Sequence, residues 1–290
     1  MHSGCASITK PRVLRALDLS MTSPQNEEIF SYPDALRQYE LLIPHLVRVS
    51  DRSGGVYTST LGLEGTKIYT RLVLSAMTIG SILPGNQVNQ SQLWDFPSVA
   101  VLARSLIEAT HRYLYLIEPG LSSEESDFRR KLHFYRVNCE KYRLYSEQHD
   151  HEILKSFEEN LPKAKAEITA SSVYKGLGKN MAKKIRSGNA DMHLTDAEVA
   201  KLTGLIDEHF GFYYRLLSIQ AHGSPMATTS QSNTRGRGLE NDAESFYLAL
   251  VLRLLCRYLS KSLLSQVELL SLEEAGAVAF ANNVLSRDDI

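Results

Sequence analysis

A chain of 290 residues with 43% hydrophobic content can build its own core, as one large helical domain or two smaller ones, without a metal or a disulfide to staple it. Its formal net charge of -1 excludes a global field that would draw it to nucleic acid, acidic membranes or anionic substrates, so any such partner has to be held by a local patch. Cys5, Cys139 and Cys256 lie far apart and form no CxxC or Cys/His cluster; they fit buried thiols in a reducing cytosol, not a zinc site or a disulfide framework.

Residues 1–30 are polar and mixed, and their composition predicts a poorly ordered leader with no secretory signature. From Pro33 the stretch YPDALRQYELLIPHLVRVSD carries apolar residues at helical spacing, with Pro44 as a kink. Glu64 to Leu83 reads as a second long helix closed by Pro84 and Gly85, followed by the polar loop GNQVNQSQ. Asp95 to Glu118 is the clearest helix of the first half, with Asp95 as N-cap, Pro97 in the first turn and Glu-Pro-Gly as its stop. Ser122 opens another helix, whose basic residues alternate with aromatic ones up to Gln148 and predict a solvated polar face.

A charged helix from Asp150 to Ala170 crosses Pro162, and residues 171–193 turn basic and glycine-containing. Thr195 and Glu198 form a capping box, and the pattern then leads into FYYRLLSIQAHGS, which Gly223 and Pro225 terminate. After the polar loop TTSQSNTRGRG, a last long helix runs from about Leu239 to Leu270, and a tail from Glu273 to Ile290 docks or frays. No strand-like alternation and no fixed-period repeat occur, so the expected fold class is all-α, a mainly antiparallel helical bundle with one domain over 31–272. In that bundle the Asp95 to Glu118 and Glu208 to His222 helices are expected to be central and adjacent. The apolar run Leu72 to Leu83 is too short to span a bilayer, and Phe246 to Leu264 is interrupted by Arg253, Arg257 and Lys261, which argues against a membrane partner.

Two arginine–histidine pairs share one spacing. Arg215 and His222 are seven residues apart on a helix, so they project from nearly the same face about 10 Å apart, with Ser218 between them. Arg104 and His111 repeat the spacing, with Glu108 completing a charge ladder on one face. A buried structural ladder accounts for such residues without chemistry, and core packing accounts for Tyr213 and Tyr214. With no acidic metal ligands beside it, an arginine–histidine pair suits cleavage of a phosphodiester by the neighbouring ribose 2′-hydroxyl: histidine moves the proton and arginine holds the phosphorane oxygens. No HExxH, GxSxG or paired carboxylates appear, and His149, Asp150 and His151 lack a third spaced ligand, so no metal or other cofactor is expected.

The Arg215, six residues, His222 pattern resembles the arginine, four to six residues, histidine motif of HEPN-type helical ribonucleases. LWDFPSVAVLARSLIEA together with YYRLLSIQAHGS is similar to a family of bacterial all-helical proteins of unsettled function. This resemblance implies a HEPN-like bundle and a metal-independent endoribonuclease or toxin-like RNA-targeting protein of the bacterial cytoplasm, of the kind used in defence. Arg215 would hold the phosphate and His222 would transfer the proton, with Ser218, Arg104, Glu108 and His111 lining the same cavity. In catalytic members a polar residue follows the arginine; here Leu216 follows Arg215, whereas Ser105 follows Arg104. Two motifs meet across a dimer in such proteins, so a homodimer is implied, and a toxin-like role implies a regulatory protein partner.

The segment YKGLGKNMAKKIRSG places Lys175, Lys179 and Lys183 at i, i+4 and i+8, with Lys184 and Arg186 beside them, as the expected RNA-contact stripe of one helix face. A solvated charged face is the plainer account of the same residues. Arg253, Arg257 and Lys261 form a comparable stripe that either lines the same groove or snorkels from an apolar helix. Against the nuclease stands a non-catalytic helical protein that binds a protein partner or a small ligand.

Overall fold

The computed structural model describes residues 31–86, 92–148, 151–205, 210–229 and 235–287. The expected leader 1–30, parts of the two polar loops, and His149 with Asp150 lie outside the described residues. Within them the chain is all-α, with an isolated bridge between Trp94 and Gly238. The helices are α1 (Tyr32–Arg52), α2 (Thr60–Ile82), α3 (Phe96–Ile117), α4 (Ser123–Gln148), α5 (His151–Ala170), α6 (Ser172–Lys175), α7 (Lys179–Arg186), α8 (Asp196–Leu202), α9 (Phe210–Ala221), α10 (Pro225–Thr229), α11 (Asp242–Leu270) and α12 (Ala275–Leu285). Among the described residues, no helix is long and apolar enough to cross a membrane.

Local signals set the helix starts. The Asp95 carboxylate accepts the Ser98 N–H at 3.1 Å, and Thr195 with Glu198 completes a reciprocal capping box. Pro44 and Pro162 both lie inside helices.

The bundle is organised around α11. Every residue from Leu248 to Cys256 is buried, which is more than two turns, so neighbours cover all sides of this helix. It packs on α1, α2, α3 and α12. Its polar Gln266 is fully buried at a knot: the Tyr113 hydroxyl donates to Gln266 Oε1 at 2.9 Å, and Gln266 Nε2 donates to Ser53 and Thr66. One side chain thereby joins α2, α3, α11 and the end of α1, with each polar atom satisfied. The expected tail from Glu273 docks as α12, burying Ala277, Ala281 and Val284.

The α3 helix is central, as the sequence predicts, but α9 is not. It packs beside α3, and among its described residues only Tyr213 and Leu217 are buried. An apolar sequence does not by itself select the innermost helix. The Leu-rich run of α11, buried from Leu248 to Cys256 even across Arg253, has the larger area to bury and takes that position.

A second, smaller core gathers Phe128, Leu132, Tyr135 and Cys139 of α4 with Ile168 of α5 and Ile185 of α7. The polar face of α4 is not simply solvated, because most of its cations are paired with carboxylates, Lys141 excepted. Arg129 is buried between Glu118 and Glu125, each at 2.7 Å, and stacks on the Tyr115 ring. Arg136 holds Asp191 at 2.6 Å, and Arg136 and Arg143 both donate to the Gly188 carbonyl after α7. Gly188 has φ +66°, and a Cβ there would sit 2.5 Å from Cys139 Sγ. Gly188→Ala should therefore cost about 1–3 kcal/mol through backbone strain and overpacking, read as a lower urea midpoint at unchanged m-value.

His193 and His133 confer a pH dependence on stability. Burial holds both imidazoles below their usual pKa, although Glu125 and Glu64, their respective neighbours, pull the other way. In the folded chain His193 Nδ1 lies 2.8 Å from the Tyr115 hydroxyl. As the pH falls through about 6.5, the unfolded chain takes up these protons first, so stability is full above that value and declines below it. The urea midpoint should drop between pH 7.5 and 5.5, and His193→Gln should remove part of that slope.

Candidate functional site

Four elements converge on a polar network beside α9. The α3 periodicity that buries Ala103, Leu106, Ile107 and Thr110 carries His111 inward with them, fully buried. His111 Nδ1 lies 2.8 Å from Asp196 Oδ1 in the first turn of α8, and Nε2 lies 3.3 Å from the Tyr258 hydroxyl of α11. A carboxylate can only accept, so Nδ1 carries the proton and donates to it. From α9 the Tyr214 hydroxyl donates to Asp196 Oδ2 at 3.0 Å and lies 3.4 Å from Glu108 Oε1. Arg104 pairs with Glu108 at 2.8 Å and places its guanidinium carbon 3.2 Å from the centroid of the Tyr214 ring. Arg104 Nη1 is enclosed without a hydrogen-bond partner among the described residues.

Burial alone would raise the Asp196 carboxyl, but hydrogen bonds from His111 and Tyr214, with the Arg104 charge, hold it below the usual carboxylate range. Burial pushes the Tyr214 phenol up to about 12 against the opposing pull of Arg104, so it stays a neutral donor. The adjoining cavity between α3, α9 and α11, lined in part by Ile107, Phe210, Tyr213 and Tyr258, offers about 10 Å³, room for one water at most. The network is a brace of the bundle, buried at His111 and partly open to solvent at Asp196 and Glu108.

The ladder expected on α3 forms only in part. Arg104 and Glu108 pair, but the partner of His111 is Asp196, 85 positions away in sequence, and not Glu108. Arg215, Ser218 and His222 do not join this network and do not line its cavity. Arg215 and His222 are both exposed on α9, and neither makes an ion pair among the described residues. Ser218, half-buried between them, donates its hydroxyl to the Tyr214 carbonyl at 2.7 Å.

The helix end that presents His222 follows from its sequence. Gly223 adopts φ +53°; its N–H bonds to the Gln220 carbonyl at 3.2 Å, and the Ser224 N–H bonds to the Ile219 carbonyl at 3.2 Å. This is the double closure of a Schellman motif, with His222 at the C-cap.

The basic stripe is split. Lys175 ends α6, Gly176 to Gly178 make the turn, and Lys179 begins α7 with Lys183, Lys184 and Arg186. The five side chains do not share one continuous helix face, although all five are exposed. On α11, Arg253 is buried while Arg257 and Lys261 are half-buried, as a helix covered on all sides requires. Among the described residues, no cluster of His, Cys, Asp and Glu could hold a metal.

Comparison with family models, curated proteins and solved structures gave no match to this chain.

Sequence reasoning missed Asp196 and Tyr258. Asp196 carries a local signal, a carboxylate in the first turn of a capped helix, but that signal reports the helix dipole and not a distant imidazole. Tyr258 lies inside the apolar run of α11, where nothing separates a hydrogen-bonding tyrosine from a packing one.

Proposed function

We propose that this protein is a HEPN-like, metal-independent endoribonuclease or toxin-like RNA-targeting protein whose reacting groups are Arg215 and His222. The observation that supports this reading is that both side chains, Arg215 on α9 and His222 at its C-cap, are exposed and free of ion pairs among the described residues. The other pair, Arg104 and His111, is consumed by the brace. In the proposed reaction the 2′-oxygen of a ribose attacks the adjacent phosphorus and its proton passes to the His222 imidazole. Arg215 holds the two non-bridging oxygens as their charge rises, the bond from phosphorus to the 5′-oxygen breaks, and the leaving 5′-oxygen takes a proton from water to become a hydroxyl. A 2′,3′-cyclic phosphate remains on the upstream fragment. A surface site of this kind closes over its substrate only when another face covers it, and a second copy of the chain is the cover this reading proposes.

The test is cleavage of a mixed end-labelled RNA in EDTA by the wild type and His222→Ala, with analysis of the product ends. Cyclic-phosphate products that vanish in a folded mutant support the proposal; a folded wild type that cleaves none of several RNAs defeats it. One observation favours a non-catalytic binding protein instead. Ser218 is tied to the backbone and Arg104 and His111 to the brace, so three of the polar groups on these two helices already serve structure.

A further inference from the structure

We propose that the exposed face of α6 and α7, carrying Lys175, Lys179, Lys183, Lys184 and Arg186, is a docking surface for the phosphate backbone of single-stranded RNA. The choice of RNA over other single strands rests on the function proposed above. Residues 172–190 contain these five cations and no acidic residue, in a chain whose net charge is -1. All five side chains are exposed, and none makes an ion pair among the described residues.

The contrast with the neighbouring helix carries the inference. On α4, Arg129, Arg130, Lys131, Arg136 and Arg143 each have a carboxylate partner, and of its lysines and arginines only the exposed Lys141 has none among the described residues. The fold neutralises those cations and leaves the α6–α7 set uncompensated. The helix dipole accounts for Lys175 at the end of α6 and for Lys183, Lys184 and Arg186 in the last turn of α7, but it disfavours Lys179 at the first position of α7. Like charges crowded without counter-charges raise the free energy of the free protein, and an anionic ligand relieves it.

The surface is also held in place. Ile185 anchors α7 in the second core, and the Arg136 and Arg143 guanidiniums fix the carbonyls of Ser187 and Gly188 at its end. Residues 172–190 present no exposed large apolar side chain, so they lack the insertion anchors of a membrane-binding helix and the apolar hot spot of a protein interface. Mobile lysine ammoniums without such anchors suit sequence-independent phosphate contacts.

The experiment is fluorescence anisotropy of the full chain with a 2′-O-methyl oligoribonucleotide of about 15 nucleotides, which the proposed reaction cannot cleave, over a salt series. Binding should weaken with salt with a log–log slope of roughly -3.5, as about 0.7 per neutralised phosphate gives for five contacts. Lys179→Glu with Lys183→Glu should raise Kd tenfold or more and flatten the slope, and the milder Lys179→Gln with Lys183→Gln should fall between. Reversal of the exposed Lys201 on α8 should leave both quantities unchanged. No binding by the wild type at low salt, equal loss in the Lys201→Glu control, or capture by anionic phosphatidylserine vesicles in preference to the oligonucleotide would each overturn the proposal. A docking surface without cleavage would then remove the nuclease and keep this inference, and cleavage with unaltered binding in the charge reversals would do the opposite.

Discussion

His222→Ala is expected to lower RNA cleavage by about 10²–10⁴-fold, the range for loss of a group that moves a proton in the transition state. Its exposure at the end of α9 means that truncation opens no core cavity, so the melting temperature should stay within the scatter of a surface substitution. Arg215→Ala is expected to lower cleavage about 10²–10³-fold, because the charge on the non-bridging oxygens grows only as the reaction proceeds. Arg215→Lys should recover part of this: the charge returns, but the two-pronged contact does not. Single-turnover rates at saturating RNA separate these losses from weakened docking at α6–α7, which would appear at subsaturating RNA only. A folded His222→Ala that cleaves at the wild-type rate would remove His222 from the chemistry and leave the binding-protein reading.

The helices were legible where a capping residue and a period coincide. Asp95, Thr195 with Glu198, and Gly223 each place a helix end with a mechanism that the structure bears out. Which side of a helix faces inward is a different matter, since it is decided by the partner. On α9 the run FYYRLLSIQA is apolar on several sides, and the contact with α3 turns Tyr213 and Tyr214 inward and leaves Arg215 in solvent. Local spacing likewise paired His111 with Glu108, whereas the bundle brings Asp196 to the same imidazole. The lysine periodicity crosses two glycines whose turn separates α6 from α7, so the charges are exposed as expected while the continuous helical face is not formed. Spacing along one helix is set by the chain; contacts between helices are set by packing.

His111→Ala is expected to destabilise the protein by about 3 kcal/mol or more while leaving cleavage per folded molecule near the wild-type rate. The residue is fully buried, so truncation forfeits packing against Tyr258 and Phe210 and opens a cavity. It also removes a hydrogen bond that holds the Asp196 carboxyl ionised, leaving one partly buried oxygen without its donor. At 2–4 °C per kcal/mol for a domain of this size, the melting temperature should fall by roughly 6–12 °C. His111→Asn keeps a donor directed toward Asp196 and should recover part of the loss. A double-mutant cycle with Asp196→Ala should show coupling of about 0.5–3 kcal/mol, because the two side chains stabilise the fold through one shared contact. The depressed Asp196 pKa fixes the sign with pH: this contribution is present above about pH 4 and is lost as the carboxylate protonates below that value, so the wild type and His111→Ala should converge in acid. A His111→Ala protein that melts with the wild type yet has lost cleavage would assign His111 to the chemistry and overturn its place in the brace.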